Sequence, residues 1–194
     1  MRLLSLHLRN YRLHKELSLD FDPARNLIGG PNESGKSTLA EAIHRALFLR
    51  AKTGGALREE MRSSRHQGDP EVTLVFEAAG TRWTLEKRFA GSTKGSTLLT
   101  DAGGTAHKDD EADVKLADLH QCDTGGGRVN ANQLSGFWSH LWVWQGSAGS
   151  DPARQAGEHK DTLVQRLQQD GLASVIQSPA DLRARERINE AYYE

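Results

Sequence analysis

Hydrophobic and polar residues alternate along two stretches near the start of the chain. Leu4, Leu6 and Leu8 are separated by polar residues, and residues 17–21 repeat the alternation. This is the period of a half-buried β-strand, and the short polar connection between the two stretches predicts an antiparallel hairpin. A third short strand is predicted at residues 25–28, directly before a pair of glycines.

From Lys36 onward the period changes from that of a strand to that of a helix. Apolar residues now recur at intervals of three and four, which predicts an amphipathic helix of about fourteen residues. These apolar residues are Leu39, Ala42, Ile43, Ala46 and Leu47. The order in this part of the chain is therefore strand, glycine-rich turn and helix.

Beyond this helix, patterned segments are separated by glycine-rich ones. Further strands are predicted at residues 71–77, 82–89, 97–100 and 141–144. Helices are predicted at residues 57–62, 112–119, 158–169 and 179–194. The tryptophans could stack on nucleic-acid bases, but at strand spacing they are better interpreted as core residues. They are Trp83, Trp138, Trp142 and Trp144.

Composition narrows the class of protein without identifying its chemistry. The 194 residues include 25 Lys+Arg and 26 Asp+Glu, for a net charge of −1, which argues against a polybasic nucleic-acid binder. The single cysteine, Cys122, excludes a disulfide scaffold and a cysteine-based zinc site within this chain, and it predicts a cytoplasmic protein. No signal peptide and no membrane-spanning stretch is predicted, so no membrane partner is expected.

The glycine-rich turn matches the phosphate-binding pattern G-x-x-x-x-G-K-[ST] at every fixed position. Its glycines allow backbone N–H groups to surround an anion at a helix N-terminus, Lys36 supplies a cation for the β- and γ-phosphates, and the Ser37 hydroxyl can bind Mg²⁺. The alternative, a glycine turn with a solvated lysine, explains neither the complete match nor its position between strand and helix. The predicted nucleotide-binding residues are Gly30, Pro31, Asn32, Glu33, Ser34, Gly35, Lys36, Ser37 and Thr38.

Four stretches of the chain resemble the N-terminal half of an ABC-type ATPase head of the SMC/SbcC class, which includes DNA double-strand-break repair ATPases. The resemblance lies in the hairpin with its Asn-Tyr-Arg at residues 10–12, the phosphate loop and helix at residues 27–43, the strand pair at residues 71–89, and the strand that ends in Gln145. It implies an α/β P-loop NTPase fold, an ABC-type ATPase head lobe with an antiparallel β subdomain.

The resemblance also assigns roles to individual residues. It implies that Lys36 and Gln145 are catalytic, that Ser37 and Gln145 bind Mg²⁺, and that Arg12 reaches the phosphates of ATP, with Asn32 against the γ-phosphate. Two alternatives stay open from the residues alone, because Arg12 could be an ordinary turn arginine and Gln145 a plain strand end. Two further arginines are candidate phosphate contacts, or else belong to a solvated charged helix. They are Arg62 and Arg65.

The domain organisation implied by the resemblance is an incomplete head. Residues 1–150 would form the N-terminal lobe, residues 151–178 a linker and helix, and residues 179–194 the start of a coiled-coil helix. No Asp-Glu pair at the end of a hydrophobic strand is present in these 194 residues. The resemblance places that Walker B pair and the signature sequence in a C-terminal half, so this chain is expected to be catalytically incomplete alone.

The expected function is an ATP-gated DNA machine in DNA repair or anti-phage defence. Two heads would enclose two Mg-ATP molecules, and the expected partners are the C-terminal half of the head, a second head, DNA, and a nuclease or effector subunit. One alternative is an ATP-binding clamp or scaffold with little hydrolysis that regulates a nuclease or toxin. Another is a small-molecule phosphotransferase, which would require a catalytic carboxylate and an acceptor pocket that the sequence does not indicate.

Overall fold

The computed structural model describes residues 1–120 together with Leu134 and Phe137. In chain order, the elements are β1 (Arg2–Tyr11), β2 (His14–Asp20), α1 (Lys36–Phe48), α2 (Ala56–Met61), β3 (Glu71–Ala78), β4 (Thr81–Arg88), β5 (Ser96–Asp101), β6 (Ala106–Lys108) and α3 (Asp109–His120). The six strands form one sheet in the order β2-β1-β3-β4-β5-β6, and all neighbours are antiparallel. Among the described residues, no helix is long and apolar enough to cross a membrane.

The first two strands form the hairpin that the alternation predicts. Leu8 pairs with Leu17, and Tyr11 pairs with His14 at the turn. The next strand along the chain, β3, pairs with the other side of β1, so α1 and α2 lie in the connection between β2 and β3, the two strands that flank β1. Helix α1 contacts β1 and β3, and α3 contacts β5 and β6.

The core lies between one face of the sheet and α1. On β3 every second residue is buried, as the strand period requires, and the intervening residues are half-buried. Every residue of α1 from Ala42 to Phe48 is buried, so this helix is enclosed on more than one side. On β4 the buried side consists of Trp83, Leu85 and Lys87, which places a lysine in the core. The burial of Trp83 agrees with its interpretation as a core residue.

The described structure differs from the predicted secondary structure in two places. The strand expected at residues 25–28 is wrong, because this segment has no regular secondary structure. Its side chains at Leu27 and Ile28 are 99% and 43% exposed, and no strand of the described part of the chain pairs with it. Strand β6 was not predicted, since three residues are too short for an alternating pattern. The elements predicted beyond residue 120 lie outside the described residues.

The buried Lys87 is the centre of a polar contact between β4, α3 and the end of α1. Its Nζ lies 3.0 Å from Oδ1 of Asp113 and donates a hydrogen bond of 2.9 Å to the backbone oxygen of Leu49. The hydroxyl of Thr97 donates a further bond of 3.4 Å to Asp113. Burial lowers the pKa of Lys87, and the adjacent Asp113 acts in the opposite direction. The charge therefore remains in the core because of one carboxylate.

Two histidine rings pack against the ring of Phe48, the last residue of α1. The ring centroids of His44 and His120 both lie 4.8 Å from that of Phe48, and the ring of Phe137 stacks on Phe48 at 5.4 Å. Nε2 of His44 lies 3.0 Å from the backbone oxygen of Phe137. Burial, with the charge of Lys87, lowers the pKa of His120 to about 4, and burial also lowers the pKa of His44.

This cluster predicts a loss of stability in mild acid. The unfolded chain binds a proton at His120 near the ordinary pKa of 6.5, whereas the folded chain resists it down to about 4. Stability is therefore intact above pH 6.5 and falls as the pH decreases through this window, by roughly 1–2 kcal/mol between pH 6.5 and 5.

Urea unfolding at several pH values measures this dependence. The His120→Phe variant, which keeps a ring of similar size beside Phe48, is expected to have a smaller slope between pH 6.5 and 5, with the remaining slope contributed by His44. A slope equal to that of the wild-type chain in this variant would contradict the assignment to His120.

Candidate nucleotide-binding site

The phosphate loop runs directly into helix α1, as the sequence predicts. Residues 29–34 are all exposed, and Gly35 occupies the position before the first helical residue. The φ angle of Gly35 is 89°, which favours glycine, and a Cβ at this position would lie 2.5 Å from Nε2 of His14. The glycine is thus required both by its backbone conformation and by the close approach of the hairpin.

The N-terminus of α1 is suited to an anion. No side chain caps it, and its first turn contains no acidic residue. The first amide groups of a helix have no partner within the helix and carry partial positive charge, which phosphate oxygens can satisfy. Ser37 is exposed at this end of the helix, whereas Thr38 is buried. The structure therefore makes the hydroxyl of Ser37 accessible to a ligand of the loop.

The ammonium group of Lys36 folds back over the loop. Its Nζ donates hydrogen bonds of 2.8 Å to the backbone oxygen of Gly30 and 2.6 Å to that of Pro31, and it lies 3.5 Å from Oγ of Ser34. The ammonium thereby links the C-terminal end of the loop, where Lys36 lies, to its N-terminal end at Gly30 and Pro31. It is also placed inside the loop, where the backbone N–H groups and the helix N-terminus would receive a phosphate.

Arg12 lies in the turn of the hairpin and is engaged with the two helices. Its Nη1 lies 3.0 Å from Oε2 of Glu41 on α1, and its Nε donates a bond of 2.9 Å to the backbone oxygen of Glu60 on α2. Its φ angle is 48°, and its backbone N–H donates to the oxygen of Met61. His14, two residues further along the chain, contacts Gly35, so the hairpin approaches the start of α1 through His14, while Arg12 contacts Glu41 and Glu60.

Glu41 connects Arg12 to a partly buried network of ion pairs and a hydrogen bond that joins β1, α1 and α2. Its Oε1 lies 2.9 Å from Nη1 of Arg45 and accepts a hydrogen bond of 3.4 Å from the hydroxyl of Tyr11. Nη2 of Arg45 in turn lies 2.7 Å from Glu60. Burial raises the pKa of Glu41, while the two arginines act against this, and burial also raises the pKa of Tyr11.

The remaining candidates from the sequence are not brought to the loop by the described structure. Nη1 of Arg62 pairs with Glu59 one turn earlier at 3.2 Å, and Arg65 is exposed in the segment after α2. Within residues 1–120 no ion pair or hydrogen bond joins either arginine side chain to the phosphate loop. Gln145 lies outside the described residues.

Mg²⁺ fits this site only as an ion shared with a nucleotide. The described residues contain no cluster of three or more His, Cys, Asp or Glu that could hold a metal ion by themselves. Mg²⁺ in phosphate sites typically keeps several waters and takes one or two protein ligands plus phosphate oxygens. The exposed hydroxyl of Ser37 beside the loop matches that requirement.

A protein-family model described as an AAA domain matches residues 5–131. The chain belongs to this family. The match begins within β1 and includes the phosphate loop, α1 and the other five strands of the described sheet, so the residues of the candidate site lie within it. The α/β fold of a P-loop NTPase, expected from the sequence, is confirmed.

Curated relatives of this AAA-domain chain are DNA-repair proteins. It is 46% identical over 90 residues to "DNA replication and repair protein RecF" of Lactococcus lactis, which covers 46% of this chain and 25% of that protein. It is 31% identical over 97 residues to "DNA double-strand break repair Rad50 ATPase" of Thermoplasma volcanium, which covers 50% of this chain and 10% of that protein. The chain thus spans a quarter or less of the length of these relatives.

A solved structure from work on ATP-driven dimerization and DNA stimulated activation of SMC ATPases also aligns with this chain. It has a TM-score of 0.46 and 18% identity, and the alignment covers 71% of this chain and 90% of that one. The family match and the RecF and Rad50 relatives confirm the resemblance to the N-terminal region of an SMC/SbcC-type ABC ATPase.

Three residues of the site were not predicted from the sequence. Glu41 and Arg45 are four residues apart on α1, a spacing that signals an ion pair on a helix, but nothing in the sequence indicates that Arg12 joins them. His14 contacts Gly35 across 21 residues of sequence, and no periodicity marks such a contact.

Proposed function

We propose that this chain binds Mg-ATP at residues 30–38 and forms the nucleotide-binding half of an ATPase head in a DNA-repair protein. The observation that supports this most directly is the position of Lys36, whose Nζ lies inside a glycine-rich loop at the uncapped N-terminus of α1. A cation, backbone donors and a helix dipole then converge on one point, as phosphate binding requires.

Each residue of the proposed site has one task. The loop from Gly30 to Gly35 wraps the phosphates with its N–H groups, and Lys36 moves from the loop carbonyls to the phosphate oxygens. Ser37 offers its hydroxyl to Mg²⁺, which when bound neutralises phosphate charge. Arg12 contacts a phosphate from the hairpin side, and Asn32 lies against the γ-phosphate. Gln145 would complete the Mg²⁺ site and orient the attacking water.

The complete head requires a second half. The apolar side chains of Leu27 and Ile28 are exposed directly before the loop, and we propose that this segment becomes a strand when the C-terminal half of the head supplies a neighbour. The same division assigns residues 1–150 to the lobe, residues 151–178 to a linker and helix, and residues 179–194 to the start of a coiled coil. ATP hydrolysis is then a property of the joined halves.

The proposed partners follow from this architecture. Two complete heads would close on two Mg-ATP molecules, DNA would lie against the closed pair, and a nuclease or effector subunit would act on it. The DNA-repair names of the RecF and Rad50 relatives favour DNA repair over anti-phage defence. Nucleotide can drive closure only if it binds the closed state more tightly than the open one.

Nucleotide-dependent association of the complete protein tests this proposal. Light scattering after gel filtration is expected to give a monomer without nucleotide and a dimer with Mg²⁺ and a non-hydrolysable ATP analogue. The Lys36→Ala variant is expected to remain monomeric, whereas Lys94→Ala, which alters an exposed lysine away from the loop, is expected to dimerise normally.

Two outcomes would count against parts of the proposal. A wild-type protein that binds no nucleotide would overturn it. Nucleotide-dependent dimerisation without measurable ATP hydrolysis, or with only a residual hydrolysis rate that Lys36→Ala leaves unchanged, would instead favour the alternative of an ATP-binding clamp or scaffold.

A further inference from the structure

The guanidinium group of Arg12 is held from two sides by the protein itself. Nη1 lies against the carboxylate of Glu41, and Nε donates to the backbone oxygen of Glu60. Nη2 takes part in no side-chain hydrogen bond within residues 1–120. The guanidinium plane has a fixed geometry, so two occupied nitrogens determine where the third one is directed.

Glu41 is well placed to hold this arginine. It lies on α1, four residues and therefore about one turn after Ser37, and its side chain is only 16% exposed. Its other oxygen is engaged by Arg45 and by the hydroxyl of the fully buried Tyr11. Because these two groups restrain the carboxylate, it offers Arg12 a stationary partner.

We propose that Glu41 is a positioning residue for the nucleotide, which acts by holding Arg12 so that Nη2 is presented to a phosphate oxygen. This role rests on the proposed function, because it requires a nucleotide in the loop. An arginine side chain that is ordered before its ligand arrives loses less freedom on binding, so the ordering raises affinity without a new contact.

The electrostatics of the network are compatible with this role. A carboxylate beside a phosphate site would by itself repel the nucleotide. Here the negative charges of Glu41 and Glu60 are matched by the positive charges of Arg12 and Arg45. The network as a whole is neutral, so Glu41 can restrain Arg12 with little net repulsion toward a phosphate.

A different role for the same contact makes the opposite prediction. If Glu41 competed with the nucleotide for Arg12, the ion pair would have to break on binding. Removing the carboxylate would then tighten nucleotide binding, whereas loss of a positioning residue weakens it. The sign of the change in affinity therefore separates the two roles.

The test is a double-mutant cycle on the complete protein, with the affinity for a non-hydrolysable ATP analogue and Mg²⁺ measured by calorimetry. Glu41→Gln is expected to weaken binding about 5-fold and Arg12→Ala about 10-fold. The double variant is expected to match Arg12→Ala alone, because Glu41 acts only through Arg12. Glu77→Gln, which removes the exposed ion pair with Arg2, is the matched control and is expected to bind as the wild type does.

A structural role alone would give a different pattern. Thermal unfolding without nucleotide identifies any variant that is not folded. Glu41→Asp, which keeps the negative charge but withdraws the carboxylate from Arg12 and Arg45 by one methylene, then replaces Glu41→Gln with the same expected weakening. Unchanged or tighter binding in a folded Glu41 variant, or additive losses in the double variant, would overturn the positioning role. Equal binding by wild type and Lys36→Ala would overturn the proposed nucleotide site itself.

Discussion

Replacing Asp113 by alanine is expected to lower the free energy of unfolding by about 3–5 kcal/mol, the usual cost of leaving a buried charge without its partner. Lys87 is only 3% exposed, and its ammonium lies 3.0 Å from one carboxylate, that of Asp113. Such a loss is a large fraction of the stability of an ordinary domain, about 5–15 kcal/mol. Urea unfolding of the purified chain measures it.

The same helix provides a matched control. Asp110 also pairs with a basic residue, Arg50 at 3.3 Å, but its side chain is 68% exposed. Asp110→Ala is therefore expected to cost at most about 1 kcal/mol, as exposed ion pairs do. Combining Asp113→Ala with Lys87→Met removes both charges and is expected to recover much of the loss. Equal effects of the two aspartate substitutions would contradict the buried-pair interpretation.

The Asp113 variant is also expected to depend on pH in a direction set by Lys87. Burial already lowers the pKa of Lys87 below its ordinary value of 10.5, and removing the carboxylate lowers that pKa further. The unfolded chain then holds a proton that the folded chain gives up, so stability rises as the pH increases toward 10.5. The wild-type chain should show a smaller rise over the same range.

Replacing Lys36 by alanine is expected to weaken the binding of Mg-ATP to the complete protein by about 100-fold, or roughly 2.7 kcal/mol. Two losses combine in this variant. The phosphates lose a charged donor, and the nucleotide-free loop loses the ammonium that orders it by bonding to the backbone oxygens of Gly30 and Pro31. Titration with a fluorescent ATP analogue gives the affinity directly.

Two further variants resolve these contributions. Lys94→Ala removes an exposed lysine away from the loop and is expected to leave the affinity unchanged. Lys36→Arg keeps the positive charge but replaces a compact ammonium with a planar fork that does not fit between two carbonyl oxygens. It is expected to bind ATP more weakly than the wild type but better than Lys36→Ala. Wild-type affinity in Lys36→Ala would exclude the loop as the phosphate site.

The parts of the fold that the sequence predicted are those in which local pattern and packing agree. Alternation places the hairpin and the strand pair β3–β4, because the apolar positions of β1, β3 and β4 are buried in the core. Lys87 lies on the buried side of β4 with Trp83 and Leu85, and the reason that a lysine is tolerated there is Asp113, 26 residues away. At residues 25–28 the local pattern is equally apolar, yet no neighbouring strand is present among the described residues to pair with it.

The candidate site also has one part that the sequence predicts and one part that only the structure shows. The phosphate loop is contiguous in sequence, and its chemistry follows from the types and order of its residues. The contacts that surround it are distant in sequence, such as His14 with Gly35 and Arg12 with Glu41 and Glu60. They depend on the hairpin turn folding over the start of α1. No single-sequence pattern encodes that approach, so these residues are found only in the structure.

The two outer strands of the sheet differ from the rest in a way that bears on aggregation. At one edge, β2 exposes Lys15, Glu16, Ser18 and Asp20, and at the other β6 has only three residues. Charged and very short edges oppose the addition of strands from other molecules. The sheet is therefore protected against edge-to-edge polymerisation at both outer strands, and the exposed Leu27 and Ile28 lie outside it.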